Sequence, residues 1–409
     1  VLPAVFVTYS LAYLDRANYG FGAAAGLAST LHIDGQQSSL LSALFFIGYF
    51  IFQVPGIMLA RKRSAARMVA VSLVAWGSLA AMTGIVRNFW ILALVRFLLG
   101  VAESFIFPAM LLLLTRWFTK EERSQANTIL MLGNPLTILW MSAITGFLIQ
   151  SVGWQNTFIL EGIPSIMWAF GWLAIIRDRP RDAGWMTPQA SAQLQEKLDS
   201  EQSSIAPIES LWAALLRRDV LLMSAAYFTW SLGVYGFVLW LPTIVRQGAA
   251  LSMGNTGLLS AAPYLAAVLL MLVVARWSDR SHRRLSLVWP FLLIAGCALF
   301  FSFAFVRSSF ALAFAGMLVA GACMFASYGP FFALVPELVP RNVTGEVLAT
   351  INSSGALGGF FGSYTVGWLQ AATGNSQAGF LLMAFALLCT SGLLVCVREP
   401  RVPRGNKLV

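Results

Sequence analysis

Tyr13-Leu14-Asp15-Arg16-Ala17-Asn18 places two opposite charges side by side inside an apolar run that covers residues 1–27. A run of that length can cross a bilayer, for which about 20 apolar residues suffice. A charge near mid-span is costly, so it normally faces a polar cavity or a partner inside a helix bundle and acts there. The stretch sets two expectations: a membrane-spanning helical protein, and an interior that gives Asp15 and Arg16 their partners.

The rest of the chain agrees with the first expectation. Of its 409 residues, 58% are hydrophobic and 11% charged, with a mean hydropathy of +0.75. A soluble domain carries about 25% charged residues. No single core could hide so much apolar surface, so most of it must face lipid. Apolar runs read as twelve spans, at 1–27, 39–60, 67–86, 89–115, 124–150, 155–177, 219–246, 253–276, 285–305, 309–335, 343–372 and 377–397. No cleavable signal peptide is read, and the chain is expected to start inside its first helix.

Of the 27 Lys and Arg, 22 lie in the C-terminal tail or in segments joining even-numbered spans to the next odd one. The opposite loops hold three, Arg87, Arg246 and Arg307. Such a bias places the basic loops and both termini in the cytoplasm, and a bacterial inner membrane is expected. The net charge of +10 is therefore a topology signal and not a nucleic-acid footprint. Cys297, Cys323, Cys389 and Cys396 all fall in late spans without metal-ligand spacing and read as small buried hydrophobes. There is no His/Cys/carboxylate cluster for a metal and no nucleophile–base pair, so no metal, no organic cofactor and no enzyme activity is expected.

The spans divide as six, a linker and six. Residues 1–177 form a first bundle and residues 219–397 a second, joined by a cytoplasmic linker at 178–218 and followed by a cytoplasmic tail at 398–409. Within the linker a short amphipathic helix is expected at 190–198, against the membrane. Two bundles of this kind hold a transport site between them near mid-membrane. The Gly-rich stretch from Ser353 to Gly362 in span eleven marks a close helix crossing or a flexing point. Trp90, Trp154 and Trp289 read as anchors at the membrane interface.

Three further strong charges lie inside or near spans: Arg16, Arg96 and Glu103. Adjacent side chains on a helix diverge by about 100°, whereas Arg96 and Glu103, seven apart, share a face about 10.5 Å apart along the axis. Spans one and four can face one central cavity, where four charges of cancelling sign find partners. Removing a carboxylate from water raises its pKa, and a nearby guanidinium lowers it. A carboxylate with a movable arginine neighbour can thus load and release a proton. A guanidinium fork also holds a substrate carboxylate by two oxygens. An anion competing with Asp15 or Glu103 for Arg16 or Arg96 would couple its own binding to protonation. The alternative is a static charge cluster that only packs the bundle. Glu161, near the start of span six, is expected to hydrogen-bond there and hold the bundle, and Tyr235 and Trp240 are candidates for the second bundle's wall of the cavity.

Two loops resemble the Gly-x-x-x-Asp-Arg-x-Gly-Arg-Arg signature of major facilitator superfamily transporters. One runs from Gly56 to Ala65, the other from Ala275 to Arg284. The first has Ala60 in place of the Asp, and the second has Ala275 and His282 in place of the glycines. The resemblance implies a gating latch at Asp279 and Arg280 only. Tyr-Leu-Asp-Arg-Ala-Asn in span one, Arg96-Phe-Leu-Leu-Gly-Val-Ala-Glu103 in span four and Phe158-Ile-Leu-Glu-Gly-Ile-Pro164 in span six are more specific. Together they are similar to the anion:cation symporter family, which includes galactonate, glucarate, tartrate and hexuronate permeases. That resemblance implies an all-α major facilitator fold of twelve transmembrane helices in two six-helix bundles. It implies Asp15 and Glu103 as proton-linked carboxylates, Arg16 as the substrate carboxylate contact, and Arg96 as a partner exchanged between the acids. It places Tyr13 and Tyr49 as cavity hydroxyls, and Asn134 and Asn352 as polar residues near the substrate.

The expected function is proton-coupled uptake of a small organic anion, such as a sugar acid or hydroxycarboxylate, by a monomer in a lipid bilayer. Protons are the coupling ion. One alternative is an organic anion or organophosphate antiporter, which would present arginines from both halves, whereas the second half has no mid-membrane Arg or Lys. Another is a non-transporting membrane sensor, which would carry a signalling domain larger than the linker.

Overall fold

The computed structural model describes residues 1–203, 211–249, 251–281, 284–338, 343–374 and 377–397. Every regular element among them is helical. The first half contains α1 (Leu2–Ala24), α2 (Leu27–Thr30), α3 (Gly35–Lys62), α4 (Ala65–Ile85), α5 (Phe89–Glu103), α6 (Ile106–Trp117) and α7 (Lys120–Ile175). A segment carrying α8 (Pro188–Ser203) and α9 (Leu211–Leu215) follows. The second half contains α10 (Arg218–Ala249), α11 (Met253–Ser281), α12 (Leu285–Phe305), α13 (Phe310–Ala326), α14 (Tyr328–Leu338), α15 (Thr344–Thr373) and α16 (Gln377–Val395).

These helices make twelve spans, six in each half. Nine stretches among the described residues are long and apolar enough to cross a membrane, and one of them, Ile129–Ile175, holds two spans. Helices α1 and α15 complete the set. The Asp15-Arg16 pair in α1 and the glycines and serines of α15 make both too polar to stand out by hydropathy. Polar residues close several helix ends. Asp34 accepts from the Gln37 N–H at 2.6 Å while the Gln37 side chain accepts from the Asp34 N–H at 3.1 Å, a reciprocal cap on α3. Ser64, Asn88 and Ser309 cap α4, α5 and α13.

Spans four and ten, expected as continuous helices, are both broken. α5 stops at Glu103 and α13 at Ala326, and a proline stands four residues beyond Ser104 and Ala326, at Pro108 and Pro330. Proline has no N–H to give the carbonyl four residues earlier, so each span loses a bond at that point. The fourth span of each half therefore bends at an equivalent place. Spans five and six meet at Gly153, whose φ of 80° is a left-handed value open to glycine.

The packing is inverted relative to a soluble protein. Val71, Met167, Phe170 and Phe385 are exposed on the outside, while Arg16, Asn18, Glu103, Asn134 and Glu161 are buried. A lipid solvent requires that arrangement, because polar groups find partners only inside. Two expectations are corrected here. Cys297 and Cys396 are exposed rather than buried: Cys297 faces outward from α12, and Cys396 lies in the turn just past the end of α16. Trp154 is buried and not an interface anchor: just past the Gly153 turn it points inward, packs on Phe158 and sets its ring N–H 3.4 Å from Thr30 Oγ1. Trp90 is 76% exposed, as an interface anchor should be.

The halves meet along α1 with α10, α3 with α15, and α7 with α11. At the membrane face that carries the α1–α3 turn these contacts are tight. Arg246 donates to the Ala24 carbonyl, and the Gly254 N–H donates to Gln150 Oε1 at 2.8 Å. Just inside, α7 and α11 cross at Gly146 and Gly257. A Cβ on Gly257 would fall on the Ser142 carbonyl oxygen, and backbone cannot give way there. The glycines of α15 serve a crossing as well, with Gly358 and Gly362 set against the Phe228 and Leu232 carbonyls of α10. Gly257→Leu is expected to force α7 and α11 apart and lower the detergent melting temperature by several degrees. Gly392→Leu, whose Cβ meets nothing within 4 Å, is the control and should leave it unchanged or raised. Equal melts for the two variants would rule out a tight crossing at Gly257.

Candidate functional site

Tyr9, Tyr13 and Arg16 follow one another at intervals of four and three, which stacks them on one face of α1. The tyrosine rings meet edge to face with centroids 5.0 Å apart and hydroxyls 3.4 Å apart. Arg16 Nε donates to Glu103 Oε2 at 3.0 Å, bringing together two residues 87 positions apart. Glu103 is the last residue of α5, so the break in span four sits directly beside this ion pair. Each partner is only half satisfied. Arg16 Nη2 and Glu103 Oε1 have no hydrogen-bond partner among the described residues. The guanidinium lies 4.7 Å from the Tyr49 ring centroid and 4.9 Å from that of Tyr13. Aromatic faces of this kind hold a cation without neutralising it.

Arg96 is 2% exposed and occupies a different niche. Its Nε donates to the Leu41 carbonyl at 3.2 Å, and its guanidinium lies 4.8 Å from the Tyr19 ring. Phe45 stands between the two guanidinia, 5.5 Å from that of Arg16 and 5.7 Å from that of Arg96. The close approach of α3 to α5 makes this possible. Gly100 faces the Phe45 carbonyl and Gly48 the Phe97 carbonyl, leaving no room for a side chain at either. The side chains of Asp15, Asp279 and Arg280 lie outside the described residues.

A cavity lies against Arg16, between the halves. The first half contributes Tyr13, Arg16, Tyr49 and Asn134 to its lining, and the second contributes Tyr235 and Asn352. A second, smaller space shares Tyr13, Arg16, Asn134 and Tyr235. Six of the residues expected from the sequence thus meet around one cavity. Glu103 and Arg96 are not among its lining residues; Glu103 reaches it through Arg16. Tyr49 is engaged with Arg16 and with Asn352, a bridge from α3 to α15. Phe46 and Tyr235 pack edge to face at 4.5 Å across the halves, and Ser353 donates to Gln53 at 2.8 Å. Trp240 backs the second half's wall rather than lining it, its ring N–H donating to the Ser363 carbonyl at 3.1 Å.

Tyr9, Tyr227, Tyr328 and Phe332 also line the cavity and were not anticipated. The chain has nine tyrosines, and six of them face this space. Their signal in the sequence is depth, because tyrosines that anchor a membrane protein gather at the span ends instead. Glu161 sits apart in a buried polar cluster. Thr145 donates to Glu161 Oε1 at 2.7 Å and lies 3.4 Å from the Asn18 amide oxygen, tying α1 to both spans of α7.

A broken-helix, two-half bundle around one central cavity is the architecture of a membrane transporter, and comparison with known proteins settles the family. The model of the Major Facilitator Superfamily matches residues 5–363. The chain belongs to that superfamily. It is a membrane transporter and not an enzyme. A protein of Agrobacterium vitis named "Putative tartrate transporter" is 30% identical over 99% of this chain and 91% of its own length. A quinolone resistance transporter of Acinetobacter baumannii is 29% identical over 95% of this chain and 91% of its own. Among solved structures, the xylose transporter of E. coli in a partially occluded inward open conformation superposes with a TM-score of 0.75. It covers 96% of this chain and 97% of its own at 13% identity, which speaks to the fold alone.

Removing one partner of a buried ion pair strands the other, at a cost of about 3 kcal/mol or more. Arg16→Ala is therefore expected to destabilise the purified protein, and so is Glu103→Gln, because the Arg16 guanidinium cannot shed its proton and is left without a counter-charge. A melt for Arg16→Ala indistinguishable from the parent would show the pair to be solvated rather than buried.

Proposed function

We propose that the protein takes up a small organic anion, of the sugar-acid or hydroxycarboxylate class, together with protons by alternating access. The observation that carries this reading is the half-spent Arg16–Glu103 pair at the edge of the central cavity. A guanidinium offers five N–H donors in a planar fork, and Glu103 uses only Nε among the described contacts. A substrate carboxylate entering the cavity can dock on the rest of that fork, with Tyr13, Tyr49, Asn134, Tyr235 and Asn352 around its body. Drawing Arg16 toward the substrate leaves Glu103 buried without its counter-charge. Such a group takes a proton rather than remain ionised in an apolar site.

In this cycle Asp15 is the second proton-linked carboxylate, and Arg96 stands by, behind Phe45, as the cation that exchanges between the acids. Asp279 and Arg280 supply the latch at the basic face. With both termini cytoplasmic in a bacterial inner membrane, the tight Arg246–Ala24 and Gly254–Gln150 contacts lie at the outer face, so the cavity here is closed to the outside. The arrangement is complete within one chain, and a monomer suffices. Support for an anion also comes from the relative named for tartrate, while the relative named for quinolone resistance carries its own cargo in the same fold.

The test is transport by the full chain in proteoliposomes, with the cargo chosen from a ligand-stabilisation screen of organic acids. An inward proton gradient should drive accumulation that a protonophore collapses. Glu103→Gln should lose accumulation and keep exchange of internal for external anion; concentrative uptake at the parent rate would discard the proton site. Arg16→Ala should weaken anion binding by about tenfold to a hundredfold, the worth of a charge-assisted bond. Normal affinity in that variant would remove the carboxylate contact.

A further inference from the structure

We infer that the anion this cavity is built for is a monocarboxylate with a planar aromatic body, such as a hydroxylated benzoate, rather than a polyol acid or a dicarboxylate. The inference rests on Arg16 as the carboxylate contact; of the two classes proposed above it keeps the hydroxycarboxylates, in their aromatic form, and sets the sugar acids aside.

Charge is the first ground. Arg16 is the sole charged side chain among the described residues that line the cavity, and it is already shared with Glu103. Arg96 lies behind Phe45, with its Nε on a carbonyl oxygen, and is not among the lining residues. One shared guanidinium can compensate one carboxylate. A tartrate-like dianion would carry its second carboxylate into a space lined by rings, where an unpaired charge is expensive.

The second ground is the shape and chemistry of the opposite wall. Ten of the eighteen lining residues are Phe or Tyr, and four of them, Tyr227, Tyr235, Tyr328 and Phe332, form the second half's wall. On α14, Tyr328 and Phe332 are one turn apart, and their rings stack within 6° of parallel with centroids 6.3 Å apart. Trp230, fully buried and outside the lining, stacks on Tyr328 at 4.4 Å and holds this panel in place. A rigid aromatic wall favours a ligand that carries a ring, since offset or edge-on ring pairs add attraction beyond area.

The third ground is the shortage of free polar atoms. A polyol acid brings a hydroxyl on every carbon, and each needs a partner once buried. The cavity's own hydroxyls are largely engaged with one another: Tyr9 with Tyr13, Tyr49 with Arg16 and Asn352, and Tyr328 with Tyr227. Asn134 Oδ1, by contrast, is buried with no partner. A cargo with a carboxylate for Arg16, a ring for the Tyr328–Phe332 panel and a single hydroxyl donor for Asn134 meets each of these conditions.

The experiment is calorimetric titration of the purified full chain with 4-hydroxybenzoate, gluconate, tartrate and the uncharged 4-hydroxybenzamide. Expected is binding of 4-hydroxybenzoate at least about tenfold tighter than gluconate or tartrate, the worth of one or two ring contacts. Phe332→Leu, which keeps apolar bulk and removes the flat ring, should weaken 4-hydroxybenzoate severalfold and leave gluconate unchanged. Gluconate or tartrate binding as tightly as the benzoate, with Arg16→Ala still abolishing both, would overturn the aromatic assignment and leave the organic-anion reading intact. Equal loss of both acids in Phe332→Leu would overturn it too. 4-Hydroxybenzamide binding as tightly as the acid, or no acid binding at all, would bring down the carboxylate contact and both readings together.

Discussion

A guanidinium and a carboxylate held 3.0 Å apart in an apolar medium constrain everything around them. Neither charge could be kept there alone, because the desolvation cost of one ion exceeds what packing returns. The pair must therefore be assembled by folding, from helices far apart in sequence, and α1 and α5 have to be brought into register to do it. α3 packs tightly on α5 and inserts Phe45 between the two guanidinia. The break after Glu103 serves the same end. A continuous span four would have no reason to stop its backbone bonding beside the carboxylate, and Pro108 supplies one.

The two halves answer that constraint differently. The first half holds the ions and so carries the electrostatic chemistry. The second mirrors its broken fourth span at Ala326, yet begins its continuation with Tyr328 where the first has Ile106. One break is used to seat a charge and the other to seat a ring. The cavity between them consequently has its charge on the first half's wall alone and rings on both walls, and a ligand that spans it must answer both characters. Small residues finish the arrangement. Gly146 against Gly257 closes α7 on α11 at one membrane face, with no side chain to hold the halves apart.

How far the sequence discloses this depends on the kind of signal. Asp15, Arg16, Arg96 and Glu103 are legible because a charge in a long apolar run has few explanations, whereas the sequence leaves open which arginine meets which acid, and the fold pairs Arg16 with Glu103. Which side chain reaches the cavity is not legible. Helical spacing puts Arg96 and Glu103 on a common face, but whether a residue on that face reaches the cavity is decided by what another helix places in front, here Phe45 and the Leu41 carbonyl. Aromatic residues are harder still. Tyr227, Tyr328 and Phe332 follow the same periodicity as packing residues, and only the fold distinguishes a lining ring from a core one. Trp154 was placed at the interface for its position near a span end, and the left-handed turn at Gly153 brought it inside instead. The breaks at Ser104 and Ala326 coincide with Pro108 and Pro330, but Pro55, Pro135, Pro242 and Pro263 sit inside unbroken helices, so a proline alone does not tell where a span breaks.

On the proposed reading, confinement of the charge to one wall also explains why binding and closure would be linked. An anion resting on Arg16 alone touches one half and gives the other no reason to approach. Contact with the Tyr328–Phe332 panel is gained only as the halves come together, so that part of the binding energy favours the closed form over the open one. A ligand shifts a conformational equilibrium only by the difference in its affinity for the two states. A charge without a body would occupy Arg16 and not close the protein, and a ring without a charge would leave Glu103 paired and unprotonated. Coupling therefore demands both ends of the molecule at once, and the Arg16–Glu103 pair is what makes the charged end indispensable.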